Sequence, residues 1–292
     1  MRVAQTNVQL YNELRARDLA LAELVLVHRA YELLTTLYPG YYQADGKPFV
    51  AHGVGVASIL GHLGQPGDIV AVGLLHNVYG NADFGDGRGA GATPARRRLV
   101  RDGAGRHVEE LVFRFAELRR QRRGVEGLLA RRAKGQTGVR ADTLDITDRR
   151  LLVIDLADYL EKYVDLGVLY FGENDWVIDT TRRLGTQLTG LAEELGEPRL
   201  AQALRAAFAD TAAQARDVPP ELRVSDGRRY LELAVPRSCR RRIAPALREK
   251  VYALRKMVYG RMARVRGLWG PRSRLRRLRD RWPVRRWRTG PS

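Results

Sequence analysis

Apolar residues recur at steps of three and four along most of this chain, and no stretch alternates like a half-buried strand. A chain patterned in this way can bury its apolar stripes only by packing helix on helix, so the predicted fold class is all-α. Proline and glycine divide the pattern. Leu10 to Tyr38 carries Leu14, Leu21, Val25 and Leu33 at helical spacing and stops at Pro39-Gly40. Pro48 opens a second helix that runs to Gly64, and Pro66 a third that runs into His76 and stops near Gly80. Asn81 to Ala92 reads as a Gly/Asp loop. Thr93 is a helix N-cap with Pro94 at the first helical position. Val108 to Arg120 is amphipathic, and Gln121 to Thr147 is basic and Gly-containing, predicted as a connection. Asp148 to Leu166 is the next strong helix, followed by a helical pair over Asp175 to Leu195 and Pro198 to Ala215. The predicted organisation is a helical domain over residues 9–215, a linker over 216–245 and a basic helical tail over 246–292.

The charge is as unevenly placed as the apolar residues. From Arg237 to Ser292 there are 20 Lys/Arg against 2 acidic residues, which accounts for the whole net charge of +18. The body is therefore neutral, and the tail seeks an anionic surface or an acidic partner. Leu247, Val251, Leu254, Val258, Met262, Val265 and Trp269 form one stripe, with Arg255, Lys256 and Arg261 among the residues around it. Further on, Arg276, Arg277, Trp282 and Trp287 mix charge with aromatic surface. Three readings stay open: a stripe packed on the body with a solvated end, attachment to an anionic membrane, and nucleic-acid phosphate binding. Trp favours the membrane interface over nucleic acid. The single cysteine, Cys239, excludes an intramolecular disulfide and a Cys-rich zinc cluster. With no apolar leader segment and no apolar run of about 20 residues, the expected location is cytoplasmic, with a peripheral place at the inner face of the membrane open through the tail.

Three separated stretches carry candidate chemistry: Gly46-Lys47-Pro48-Phe49-Val50-Ala51-His52, then Leu74-Leu75-His76-Asn77-Val78-Tyr79-Gly80, then Leu156-Ala157-Asp158-Tyr159-Leu160. Histidine supplies a neutral ring nitrogen and aspartate an anionic oxygen, and both suit divalent transition metals. Placed on separate helices, such residues can converge inside a bundle. These stretches resemble, in order and spacing, those of the HD-domain metal-dependent phosphohydrolases, distantly the hydrolase domain of bacterial guanosine-tetraphosphate enzymes. The run Leu-His-Asn-Val-Tyr-Gly-Asn looks closer to a little-characterised HD-like branch with His-(Ser/Asn)-Val-Tyr-Gly. The resemblance covers roughly residues 24–166.

The resemblance implies one divalent ion, Mn, Fe or similar, held by His52, His76 and Asp158, with Asn77 standing where the family has its aspartate. It implies an activity on a nucleotide or other phosphorylated small molecule. Tyr79 and Asn81, on or near the loop beyond His76, would rim any pocket there and are candidate ligand contacts with Lys47 and Lys162, although loops favour Asn in any case. The departures point the other way. The Glu-Asp pair of the alarmone hydrolases is Gly80-Asn81 here, their Arg before the first His is Gln43, and their Asn after the Leu-Ala-Asp segment is Lys162. No catalytic base is identified. The alternative reading is a catalytically degenerate HD-like domain that binds a ligand or partner. Four of the five histidines also have a plainer reading: His52 as a core residue among Gly53, Val54, Gly55, Val56 and Ala57, His28 as a core or helix-face residue, His107 as solvated, and His62 as a cation at a helix C-terminus. Asp155, one turn before Asp158, competes with it as the third ligand. The glycines of Gly85 to Gly91 follow no strand and make no dinucleotide loop.

Overall fold

A computed structural model describes residues 1–222 apart from 42, 44–46, 87, 89, 134–143 and 171–173, with backbone alone at 133, 174–182 and 220. The described residues are helical and contain no β-strand, so the fold is all-α. The chain divides into two compact units, Met1–Cys239 and Arg240–Ser292. Cys239 and the tail residues Arg255, Lys256, Arg261, Trp269, Arg276, Arg277, Trp282 and Trp287 lie outside the described residues. No described helix is long and apolar enough to cross a membrane.

The first predicted helix is two helices, α1 (Asn7–Arg15) and α2 (Leu21–Leu37). Thr6 starts α1 with a capping box shared with Gln9. After Arg15 the chain turns back, with Leu19 N–H bonded to Leu14 O at 3.2 Å and Asp18 in the left-handed region at φ +58°. Continuous apolar spacing hid this break because Leu14 and the residues of α2 enter the same core.

Two helices sit at the centre. In α3 (Phe49–His62) every residue from His52 to Gly61 is buried, and in α4 (Gly67–Leu75) all but Asp68 are. Helices apolar on all sides belong inside a bundle, and α3 packs on α4 and on α9 (Ile146–Val164). Glycine permits the closeness. A Cβ on Gly53 would lie 2.9 Å from Leu74 O, and one on Gly55 would lie 2.7 Å from Glu161 Oε1.

The third predicted helix breaks at His76-Asn77. Asn77 lies at φ −98°, ψ 0°, and a one-turn helix α5 (Val78–Asn81) follows. This corner, rather than a continuous helix to Gly80, presents the two side chains inward. Next come α6 (Pro94–Ala104), capped by Thr93 with Pro94 at its first position as predicted, and α7 (Arg106–Arg120). Part of the basic connection is ordered as α8 (Val125–Ala133), which buries Val125, Leu128 and Leu129. Its many arginines masked those three positions in the sequence. Asp145 caps α9 by accepting from Asp148 N–H at 2.8 Å. The predicted helical pair is α10 (Asn174–Glu194) and α11 (Pro198–Gln214), packed on each other and on α9.

Candidate metal centre

A helix at the centre of a bundle has no water for its polar side chains, so each must find a partner inside. His52 of α3, His76 after α4 and Asp158 of α9 are 1%, 3% and 2% exposed, and they meet. His52 Nε2 lies 3.4 Å from His76 Nε2 and 3.2 Å from Asp158 Oδ1, and His76 Nε2 lies 3.8 Å from the same oxygen. These three atoms are the one set among the described residues with the composition and closeness to hold a metal ion. Asp158, not Asp155, is the acid of this set.

Backbone and side-chain contacts behind the cluster decide which ring atoms face it. His76 Nδ1 is 2.7 Å from Gly73 O, so Nδ1 carries the proton and donates, and Nε2 presents its lone pair. His52 Nδ1 is 2.5 Å from Glu161 Oε2, which likewise reserves Nε2 for the cluster. A carboxylate or carbonyl behind each metal-facing imidazole is the arrangement that orients metal-ligating histidines. Asn77 Nδ2 lies 2.7 Å from His76 Nε2 and 3.5 Å from His52 Nε2. Rotating the amide by half a turn exchanges nitrogen and oxygen and would present Oδ1 to the same space.

Electrostatics bind this cluster to a ring of cations. Burial would lower the His52 pKa, but Glu161 and Asp158 overcome it and raise it to about 9. Without metal His52 is therefore an imidazolium between two carboxylates. Burial lowers His76, which stays neutral. Burial would raise Asp158, yet Lys162 and the two histidines hold it well below the usual carboxylate range. Lys162 Nζ is 3.0 Å from Asp158 Oδ1 and Arg119 Nη1 is 3.2 Å from Oδ2. Neither Lys162 nor His52 is aligned on Oδ1 as a regular hydrogen bond, so this buried oxygen has close cations and no directed donor. Once His52 gives up its Nε2 proton, that oxygen and the two Nε2 atoms would form a donor set that fits a divalent ion, and nitrogen and carboxylate donors suit Mn, Fe or Zn.

The other predicted residues divide between this cluster and its surroundings. Lys47 joins it from behind, ion-paired to Glu161 and, at 2.5 Å, to Asp165 Oδ2. Tyr79 is buried, its hydroxyl donating to Glu109 Oε1 at 2.9 Å, where Arg97 and Arg101 also converge. That bond ties the corner after His76 to α6 and α7, so Tyr79 positions the loop. Asn81 ends α5, exposed. Asp155 accepts Val125 N–H at 2.8 Å and so anchors the start of α8. Burial raises its pKa. His28 meets the Tyr11 hydroxyl at 3.0 Å, and His107 meets Asp68 at 3.0 Å. His62 contacts Arg17, and burial followed by that charge lowers its pKa. Its Nε2 lies 3.7 Å from Glu13 Oε2, and the lowered pKa disfavours the C-terminal cation expected from its position.

Sequence reasoning missed Glu161 and Arg119. Glu161 falls one turn beyond Asp158 on the same face of α9, and that spacing is the signal that would have found it. Arg119 had none, since it is one of several arginines at the end of α7.

A family model described as a domain of unknown function (DUF6817) matches residues 33–120. The matched stretch holds His52, His76, Asn77 and Arg119 but stops before α9, which supplies Asp158, Glu161 and Lys162. No curated protein matches the chain.

Proposed function

We propose that this helical domain is an HD-like divalent-metal-binding domain of the phosphohydrolase type, acting on a nucleotide or other phosphorylated small molecule. The observation that carries the reading is the meeting of His52 Nε2, His76 Nε2 and Asp158 Oδ1, with Glu161 and Gly73 O behind the histidines. A bound divalent ion supplies Lewis-acid polarisation of phosphate and a lowered pKa for its water. The chain's own contribution is to hold two imidazoles in one tautomer and to keep Asp158 ionised. It also presents Lys162 and Arg119 near the cluster as cations able to meet phosphate.

One observation favours a second reading, a catalytically degenerate domain that binds without hydrolysing. The carboxylates around the cluster are engaged: Glu161 with His52 and Lys47, Asp155 with Val125 and Arg119, Asp165 with Lys47. None of these is placed as a base for water. On this reading the basic tail attaches the domain to an anionic membrane surface, and removal of residues 237–292 abolishes sedimentation with phosphatidylserine vesicles. Undiminished sedimentation would remove the tail from the account.

The test of the first reading is Mn²⁺ titration by calorimetry, followed by phosphate release from a panel of nucleotides and phosphomonoesters. Saturable binding near one ion per chain with Mn²⁺-dependent phosphate release supports hydrolysis. Binding without release, or no binding at all, contradicts hydrolysis and supports the degenerate reading, in which the domain binds a ligand or partner.

A further inference from the structure

We propose that Lys162 is a tethered cation that stands in for the metal's charge at Asp158, so that metal binding is an exchange of ammonium for ion. This rests on reading His52, His76 and Asp158 as the metal centre. Lys162 lies one turn beyond Asp158 on α9. Its Nζ is 3.0 Å from Oδ1, the same oxygen that faces His52 and His76. The other carboxylate oxygen is turned to Arg119. The metal-facing oxygen is thus the one the ammonium holds.

The two partners differ in freedom. The Asp158 side chain is 2% exposed and the Lys162 side chain 35%. Asp158 is fixed inside the bundle, while the lysine stem reaches toward solvent and its head can leave along it. The Tyr159 ring on the same helix already lies 5.7 Å from Nζ and can continue to hold the ammonium as it moves off Oδ1. An ion drawn to Oδ1 meets the ammonium at near contact, and like charges repel strongly where water is excluded. One must move, and only Lys162 has somewhere to go. The ion's apparent affinity is reduced by whatever the Lys162–Asp158 pair contributes to the metal-free state.

The exchange has a functional consequence. In the metal-free protein His52 and Arg119 share the charge of Asp158, and Lys162 adds its own at the metal-facing oxygen. The domain is then folded and charge-balanced without metal, and metal occupancy responds to metal concentration. Lys162 acts here as a positioning residue that sets the threshold of the site, and it is not itself a ligand.

The test uses the full chain with Lys162→Gln and Lys162→Arg, titrated with Mn²⁺ by calorimetry. Lys162→Gln should bind Mn²⁺ about tenfold or more tightly than wild type while its metal-free form melts at lower temperature. Lys162→Arg keeps the charge and should show no gain. A second measurement needs no variant: acetylation of wild-type lysines by an N-hydroxysuccinimide ester, read by mass spectrometry. Mn²⁺ should raise the modification rate of Lys162 severalfold, and His76→Ala should abolish the increase. Equal Mn²⁺ affinity in wild type and Lys162→Gln, or a Lys162 rate unmoved by bound Mn²⁺, overturns the exchange and leaves the metal centre standing. Absence of Mn²⁺ binding in all three proteins overturns both.

Discussion

His52 Nδ1 lies 2.5 Å from Glu161 Oε2, and that contact decides which nitrogen of His52 faces His76 and Asp158. Glu161 is fully buried, and burial alone would raise its pKa, but His52 and Lys47 hold it below the usual range. It is therefore a standing anion whose role is orientation. Glu161→Gln keeps the shape and loses the charge. Mn²⁺ affinity should fall about 10–100-fold, the range seen when such supporting partners are changed. Calorimetry on folded variant and wild type checks this, and unchanged affinity would remove Glu161 from the account.

Asn77 sits where its amide oxygen can reach the cluster after rotation, but it brings no charge. Asn77→Asp adds an anionic oxygen at the same place. Metal affinity rises with the number of anionic ligands, so Asn77→Asp should bind Mn²⁺ about tenfold more tightly or better. An affinity equal to wild type would place Asn77 outside the metal's reach.

The proton on His52 gives the metal-free protein a pH dependence of known sign. The folded value is raised from 6.5 to about 9 by Glu161 and Asp158 against the effect of burial. A raised folded pKa means stability that is fully present below the unfolded value and is lost as pH rises through the folded one. The metal-free melting temperature should therefore fall between pH values of about 6.5 and 9, and His52→Gln should flatten that slope. Excess Mn²⁺, which competes with the proton for Nε2, should bind more tightly as pH rises over the same interval. Melting curves at three pH values, with and without Mn²⁺, test both trends. An identical slope in His52→Gln would show that another group carries it.

Gly55 leaves room for Glu161. A Cβ there would stand 2.7 Å from Oε1 and 2.8 Å from Cγ of that side chain. Gly55→Ala should cost about 1–3 kcal/mol of stability by crowding and also weaken Mn²⁺ binding, because the displaced carboxylate no longer orients His52. Chemical denaturation and calorimetry together check this. A loss of stability with unchanged metal affinity would separate packing at Gly55 from the site.

The two histidines and Asp158 are legible because the order of three short stretches can be matched, with His52 on a helix opened by Pro48 and His76 at the end of one opened by Pro66. The sequence disclosed the central helices because their residues are apolar on every side. Other features depend on contacts between residues distant in sequence, which periodicity does not carry. The turn at Asp18 looks like continuous helix, since Leu14 and Leu34 enter one core from two elements. Arginines at 122, 123, 131 and 132 hide the three buried residues of α8. The place of Tyr79 beside His76-Asn77 suggests a ligand contact, and nothing in the local sequence signals that Glu109, 30 residues on, accepts its hydroxyl. Glu161 carries a sequence signal, one turn from Asp158, but its pairing with His52 depends on the packing of α3 against α9.

The most direct test is elemental analysis of the purified full chain after exposure to Mn²⁺ or Fe²⁺ and desalting, with His76→Ala beside it. Wild type should hold about one ion per chain, and His76→Ala should lose that ion while keeping its helicity by circular dichroism. Metal absent from both proteins, or retained equally by His76→Ala, would contradict a centre built on His52, His76 and Asp158.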